Sequence, residues 1–156
     1  MKLHYIIAAA GLLSLTACAN QGREKSAAGG QSTSPVIPKA GEKDCYNFML
    51  GGDTVVLTIK WLDTSRFTGS MLYQLHEKDR NIGSLEGRRI GDLLLADYQF
   101  SSEGMQSKRQ VAFKRIQDYL VEGYGEVTPD SSGFRYSHPD QLNFDLNRKI
   151  YAVHCL

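Results

Sequence analysis

The sequence has no excess of either charge: 18 Lys and Arg stand against 17 Asp and Glu, a formal net charge of +1. A surface that binds nucleic acid needs a basic excess to neutralise phosphates, so no nucleic-acid partner is expected. Neither a glycine-rich phosphate loop nor a dinucleotide fingerprint occurs. Ser, His and Asp are present, but no spacing sets a nucleophile beside a base, so no catalytic residue is assigned and enzyme activity is not expected. His76-Glu77-Lys78-Asp79 holds potential metal ligands without a second histidine nearby and reads as a solvated turn; His138 and His154 are isolated. No metal site and no cofactor is assigned. Long stretches of helical periodicity are missing as well, and the apolar run over residues 5–15 is too short to cross a bilayer as a stable helix.

What the N-terminus does have is a sorting signal. Met1-Lys2 supplies positive charge, the apolar run follows, and Leu15-Thr16-Ala17-Cys18 closes it. The tetrad resembles the bacterial lipobox, in which small residues precede a cysteine. The resemblance implies cleavage after Ala17, a diacylglyceryl thioether on Cys18, and N-acylation of the freed cysteine. An ordinary secretory signal with a chance cysteine is the alternative. Several acyl chains would make a firm anchor, because each buried methylene adds about 0.8 kcal/mol. Ala19, not Asp, follows Cys18, which under the enterobacterial sorting rule implies the outer membrane. No acidic cluster follows Cys18, so the surface-export signal of Bacteroidetes lipoproteins is missing and the periplasmic face is expected. The expected partner of the N-terminus is therefore the membrane, through lipid on Cys18.

Residues 19–43 are rich in Ala, Gly, Ser, Gln and Pro and poor in large apolar side chains, so they cannot bury enough surface to fold. They read as a tether. The expected organisation is a signal peptide over 1–17, a lipidated flexible tether over 18–43 and one folded domain over 44–156, enough chain for a single modest core. With Cys18 used for lipid, Cys45 and Cys155 remain, one at each end of that domain in an oxidising compartment. A disulfide between them is the economical reading, with two free thiols as the other. It would close a loop of more than about 100 residues, worth about 4.7 kcal/mol on chain-entropy grounds, and would lay the first and last strands side by side.

From Cys45 onward, turn signals recur about every 12 to 14 residues, with runs rich in Val, Ile, Thr, Tyr and Phe between them. Val55, Leu57, Ile59 and Trp61 alternate with Val56, Thr58 and Lys60. Residues 94–126 read as three strands of a meander. A two-residue turn at Glu103-Gly104 sets Tyr98 opposite Arg109, Ala96 opposite Val111 and Leu94 opposite Phe113. A turn at Gln117-Asp118 sets Phe113 opposite Glu122, Val111 opposite Tyr124 and Arg109 opposite Glu126. A turn at Gly91-Asp92 sets Leu85 opposite Tyr98. Three-residue loops earlier set Tyr73 beside Leu85, Met71 beside Gly87 and Leu57 beside Met71. One face then stays apolar across six strands, whereas a slip of one residue would flip it. The opposite face carries Lys60, Gln74, Glu86, Lys108, Gln110 and Lys114, which suits water.

A sheet with one apolar face must close or be covered, and no helix is available to cover it. The expected fold is all-β: an eight-stranded, mostly up-and-down antiparallel barrel. Residues 127–149 break the rhythm. Phe134-Arg135-Tyr136 fits a short strand, Ser137-His138-Pro139-Asp140 fits the cap of one short helical turn running through Phe144, and residues 150–155 form the last strand.

Arg109, Glu122 and Glu126 fall on the apolar face, close to Tyr73, Tyr98 and Tyr124. A lone buried charge costs several kcal/mol, so Arg109 is expected to pair with Glu126 or Glu122. Two readings stand. The cluster is either a structural ion pair that fixes register, or a polar anchor inside an apolar cavity that holds the head group of a small amphipathic or anionic ligand. The same residues, Tyr73, Tyr98, Arg109, Glu122, Tyr124 and Glu126, are the candidate ligand site. A protein-interaction or inhibitor role, with a partner the sequence does not name, and a purely structural envelope role are the other functional classes.

Longer strings carry a wider resemblance. EKDRNIG (77–83), GDLLLADYQFSSEG (91–104), SKRQVAF (107–113), VEGYGE (121–126) and the closing FDLNRKIYAVHC are similar to a family of small, mostly Bacteroidetes lipoproteins. That resemblance brings no activity with it. In shape the chain is similar to calycin-like barrels such as lipocalins and avidins, though the first strand lacks the lipocalin Gly-x-Trp motif.

Overall fold

The computed structural model describes residues 37–156. The leader, the lipobox with Cys18, and most of the tether lie outside the described residues. Ten strands follow one another: β1 (Lys43–Leu50), β2 (Asp53–Trp61), β3 (Arg66–Gln74), β4 (Asn81–Ile90), β5 (Leu93–Ser102), β6 (Met105–Ile116), β7 (Tyr119–Tyr124), β8 (Val127–Asp130), β9 (Gly133–Tyr136) and β10 (Asn143–Val153). Strands β1 to β7 pair in sequence, β10 inserts between β7 and β1, and β5 pairs with β6. The result is a closed, eight-stranded, antiparallel up-and-down barrel, with β8 and β9 as a hairpin outside it.

Tight turns set most of the register. Glu103 and Gly104 both take positive φ, 49° and 81°. That is the geometry of a two-residue hairpin loop whose twist matches its flanking strands. It fixes Tyr98 opposite Arg109, Ala96 opposite Val111 and Leu94 opposite Phe113, as the sequence predicts. Leu85 opposite Tyr98 and Leu57 opposite Met71 also hold. Between β3 and β4 the expectation fails. Met71 meets Gly83 and Tyr73 meets Asn81, because the connection runs from the end of β3 at Gln74 to Asn81 rather than through three residues. The offset is even, so the apolar face survives.

A second departure concerns β6 and β7. Their ladder runs only from Phe113–Glu122 to Ile116–Tyr119. Farther along, β6 takes β9 as its neighbour, with Arg109 opposite Phe134 in a parallel bridge. The chain around residues 142–144 crosses close to β7: a Cβ on Gly123 would lie 2.8 Å from the Phe144 ring, and one on Gly125 2.7 Å from Leu142. Tyr136 reaches the same place, its hydroxyl donating to the Gly123 carbonyl at 2.8 Å. Gln110, expected in water, is buried, and the Tyr136 amide donates to its side-chain oxygen at 3.3 Å.

The helical turn expected before the last strand is not there; no helix occurs among the described residues. Residues 138–141 instead form a single turn closed by Gln141 N–H donating to the His138 carbonyl at 3.1 Å. The chain then extends at once into β10, which starts at Asn143 opposite Tyr124. The last strand is thus seven residues longer at its start than the sequence suggested, since the rhythm through residues 143–149 is broken by a bulge between Phe144 and Lys149.

The two ends of the barrel differ. At one end the lumen is filled by Trp61, Phe67, Leu94, Phe113, Leu120 and Ile150, each almost wholly buried. Trp61 meets Phe67 edge-on, with centroids 5.5 Å apart, and its Nε1 donates to Asp44 Oδ2 at 3.0 Å. Residues 41 and 42 carry the β1–β2 pairing on past Lys43 at this end, through backbone bonds to Trp61. The Cys45–Cys155 disulfide forms, with Cα atoms 5.3 Å apart, and joins β1 to the segment after β10 at this closed end. Small residues let the walls curve inward: a Cβ on Gly83 would lie 2.0 Å from the Gln99 carbonyl oxygen, and one on Gly69 2.1 Å from that of Thr58.

Candidate functional site at the barrel mouth

At the opposite end the lumen opens. Along β6 the inward positions run from Met105, 72% exposed, through exposed Ser107 and half-buried Arg109 to buried Val111. Along β1 they run from Leu50, 70% exposed, through half-buried Phe48 to buried Tyr46. Below this mouth lies the polar cluster, built by β3, β5, β6, β7 and β10.

Glu122 is its buried carboxylate. Its position follows from β7 alternation, in which Leu120, Glu122 and Tyr124 all face inward. Tyr73 donates its hydroxyl to Glu122 Oε1, and Tyr124 donates to Oε2 at 2.9 Å. Two tyrosines thus bind the carboxylate, each by a hydrogen bond to a charged acceptor worth about 1.5–3 kcal/mol. Tyr98 is fully buried, donates to the Met71 carbonyl at 3.1 Å, stacks on Phe100 at 4.8 Å and meets Tyr73 edge-on at 6.1 Å. At the level of Tyr73 and Tyr98 the lumen is therefore filled by side chains.

Arg109 lies across the top of this layer. Its guanidinium sits 5.2 Å from the Tyr73 ring centroid and 5.8 Å from that of Phe100. Two such contacts hold a cation without cancelling its charge. Neither expected carboxylate pairs with it. Glu122 accepts from the tyrosines, and Glu126 lies exposed beyond the end of β7, where its backbone carbonyl accepts from Ser137 N–H at 2.9 Å. Among the described residues Arg109 has no carboxylate within 4.0 Å, and its buried Nε has no hydrogen-bond partner.

The structure therefore brings together Tyr73, Tyr98, Arg109, Glu122 and Tyr124, and leaves Glu126 outside. It adds one residue that sequence reasoning missed. Arg148 stands with its guanidinium 5.3 Å from the Phe48 ring centroid and 3.7 Å from Asp53 Oδ2. Its positive charge also opposes the upward shift of the Tyr124 phenol. Its Nη2 is buried without a hydrogen-bond partner. The available signal was parity: Arg148 is two residues before inward Ile150, inside a stretch that the sequence left irregular. His76, the other candidate polar residue, is on the loop after β3, exposed and 3.6 Å from Glu77.

The tyrosines resist ionisation. Burial pushes Tyr46, Tyr98 and Tyr136 from 10.0 up to about 12. Tyr73 and Tyr124 are also raised, by burial first and by the Glu122 charge second. A folded value above the unfolded one favours the neutral phenol in the fold. That stabilisation is complete below pH 10 and is lost as pH rises through the folded values. The domain is expected to hold to about pH 10 and to lose stability steeply between pH 10 and 12. Tyrosinate absorbance and circular dichroism should change together on alkaline titration; ionisation of these phenols well before unfolding would contradict it.

No family model, curated protein or solved structure matches the chain.

Proposed function

We propose that this protein is a non-enzymatic binding module that holds a small amphipathic or anionic ligand at the open end of its barrel. The observation that carries the reading is Arg109: a cation beneath an open mouth, with a buried donor to spare and no carboxylate beside it. A structural ion pair would have used that charge. The apolar walls above, Phe48, Leu50, Phe100 and Met105, suit the rest of an amphipathic molecule. In the same proposal, Cys18 carries lipid and the domain sits on the periplasmic face of the outer membrane, a reading supported by Leu15-Thr16-Ala17-Cys18, by Ala19 after it and by the lack of an acidic cluster there. The described chain enters β1 at the closed end, opposite the mouth.

The test is native mass spectrometry of protein purified from its host. A co-purifying small molecule is expected, and it should be lost from Arg109→Ala protein of unchanged fold. Retention of that molecule by Arg109→Ala would defeat the proposed anchor. A protein-interaction role is the second reading, favoured by the exposed apolar Met49, Leu50, Met105 and Leu146 at this end. It gains ground if no small molecule is found and a protein partner is displaced by Met105→Ser.

A further inference from the structure

The barrel wall has a weak seam beside the mouth. The β1–β10 ladder consists of Cys45–Val153, Tyr46–Ala152 and Asn47–Tyr151, and stops there. Beyond it, Phe48, Met49 and Leu50 pair with β2 alone. On the other side, β10 shifts register against β7 between Phe144 and Lys149. The two strands part, and a cleft of about 390 Å³ lies between them, lined by Phe48, Met49, Leu50, Asn147, Lys149 and Tyr151. Its walls are apolar on the β1 side, and Met49, Leu50 and Tyr151 are exposed there.

The cleft borders the polar cluster through Phe48, which lines the cleft and also carries the Arg148 guanidinium. Tyr124, whose phenol feels the Arg148 charge, donates to Glu122, which also accepts from Tyr73 beneath Arg109. The polar groups lie deep and the apolar surface lies outward and to the side. An amphipathic guest must therefore enter head first. We infer that the β1–β10 seam is the tail site for a single-chain amphipath bearing one anionic head group, the head held at Arg109 and Arg148 and the chain laid across Phe48, Leu50 and Met49. One negative charge is assigned because Asp53 already faces Arg148 and accepts from the His76 amide at 2.7 Å, which leaves Arg109 as the uncompensated cation. The inference rests on the ligand-binding reading proposed above, and adds the class of ligand and the path of its chain.

The test is an NMR titration of the folded domain with n-alkyl carboxylates of increasing length, kept below their micelle concentrations. The dissociation constant is expected to tighten about fourfold per added methylene, until the chain outgrows the cleft. Amide shifts at Phe48, Met49 and Leu50 should appear with long acids and not with acetate. The double variant Met49→Ser/Tyr151→Ser changes only exposed side chains of the seam that the mouth reading does not use, and should flatten this length dependence. Arg109→Ala should weaken every acid alike. Length dependence that survives in the double variant overturns the seam and leaves the mouth reading standing. Absence of binding by any acid overturns both. Shifts at the seam produced by an acidic, leucine-rich peptide, with no acid bound, overturn the proposal in favour of a protein partner.

Discussion

Reducing the Cys45–Cys155 bond, or replacing both cysteines with alanine, is expected to lower the stability of the domain by about 4 kcal/mol. The bond joins residues 110 apart, so its removal frees nearly the whole domain in the unfolded state. The folded side of the argument points the same way. β1 and β10 share three residue pairs, whereas β1 and β2 share eight. The disulfide therefore stands at the joint of the barrel with the shortest ladder. Urea denaturation with and without reductant measures the difference. A loss of about 1 kcal/mol or less would mean that the three-pair ladder and the packing of Tyr46 and Ile150 close the barrel without help.

The second large effect is expected at Trp61. Trp61→Ala should cost about 3–5 kcal/mol, from lost burial together with a cavity that β-strand walls cannot collapse to fill. Trp61 is 1% exposed, packs edge-on against Phe67 and bonds to Asp44. Trp61→Phe keeps most of the packing and removes the indole donor, so its cost should be smaller, about 1 kcal/mol beyond the lost volume, because Asp44 is partly exposed and can turn to water or to Arg115 at 3.9 Å. As Trp61 is the single tryptophan, these variants must be compared by circular dichroism rather than by fluorescence. Equal losses in the two variants would show that the Asp44 bond, not the packing, carries the stability of the closed end.

Legibility from sequence followed the turns. At the two-residue turns Glu103-Gly104 and Gly91-Asp92 the turn geometry admits one register, and each pairing read from it holds. At Gln117-Asp118 only Phe113–Glu122 holds; Val111–Tyr124 and Arg109–Glu126 fail, because the β6–β7 ladder ends at Phe113 and Arg109 meets β9 instead. Where the link is longer, as between Gln74 and Asn81, the alternation still says which face is buried but not which rung meets which. The disulfide was legible because Cys45 and Cys155 stand near the two ends of the domain, which antiparallel closure brings together. The candidate site was half legible. Arg109, Glu122, Tyr73, Tyr98 and Tyr124 do converge, because alternation puts them inside. Glu126 does not join them, because Gly123 and Gly125 let residues 142–144 press on β7, and β9 takes over the edge of β6 that Glu126 was to share. Arg148 stayed hidden because the bulge in β10 interrupts the alternation that would have revealed it.

Arg109 has two aromatic rings where a carboxylate partner was expected. On the proposed reading, a cation held by rings and left with a spare donor contributes little to the fold and is kept for an incoming anion. The measurement that tests this most directly is the unfolding free energy of Arg109→Met in the absence of any ligand. If Arg109 is a ligand anchor, methionine keeps the aromatic contacts, removes a half-buried charge, and leaves stability within about 1 kcal/mol of the parent or raises it. A loss of about 2 kcal/mol or more would show that the arginine ties the barrel together, and would contradict the account.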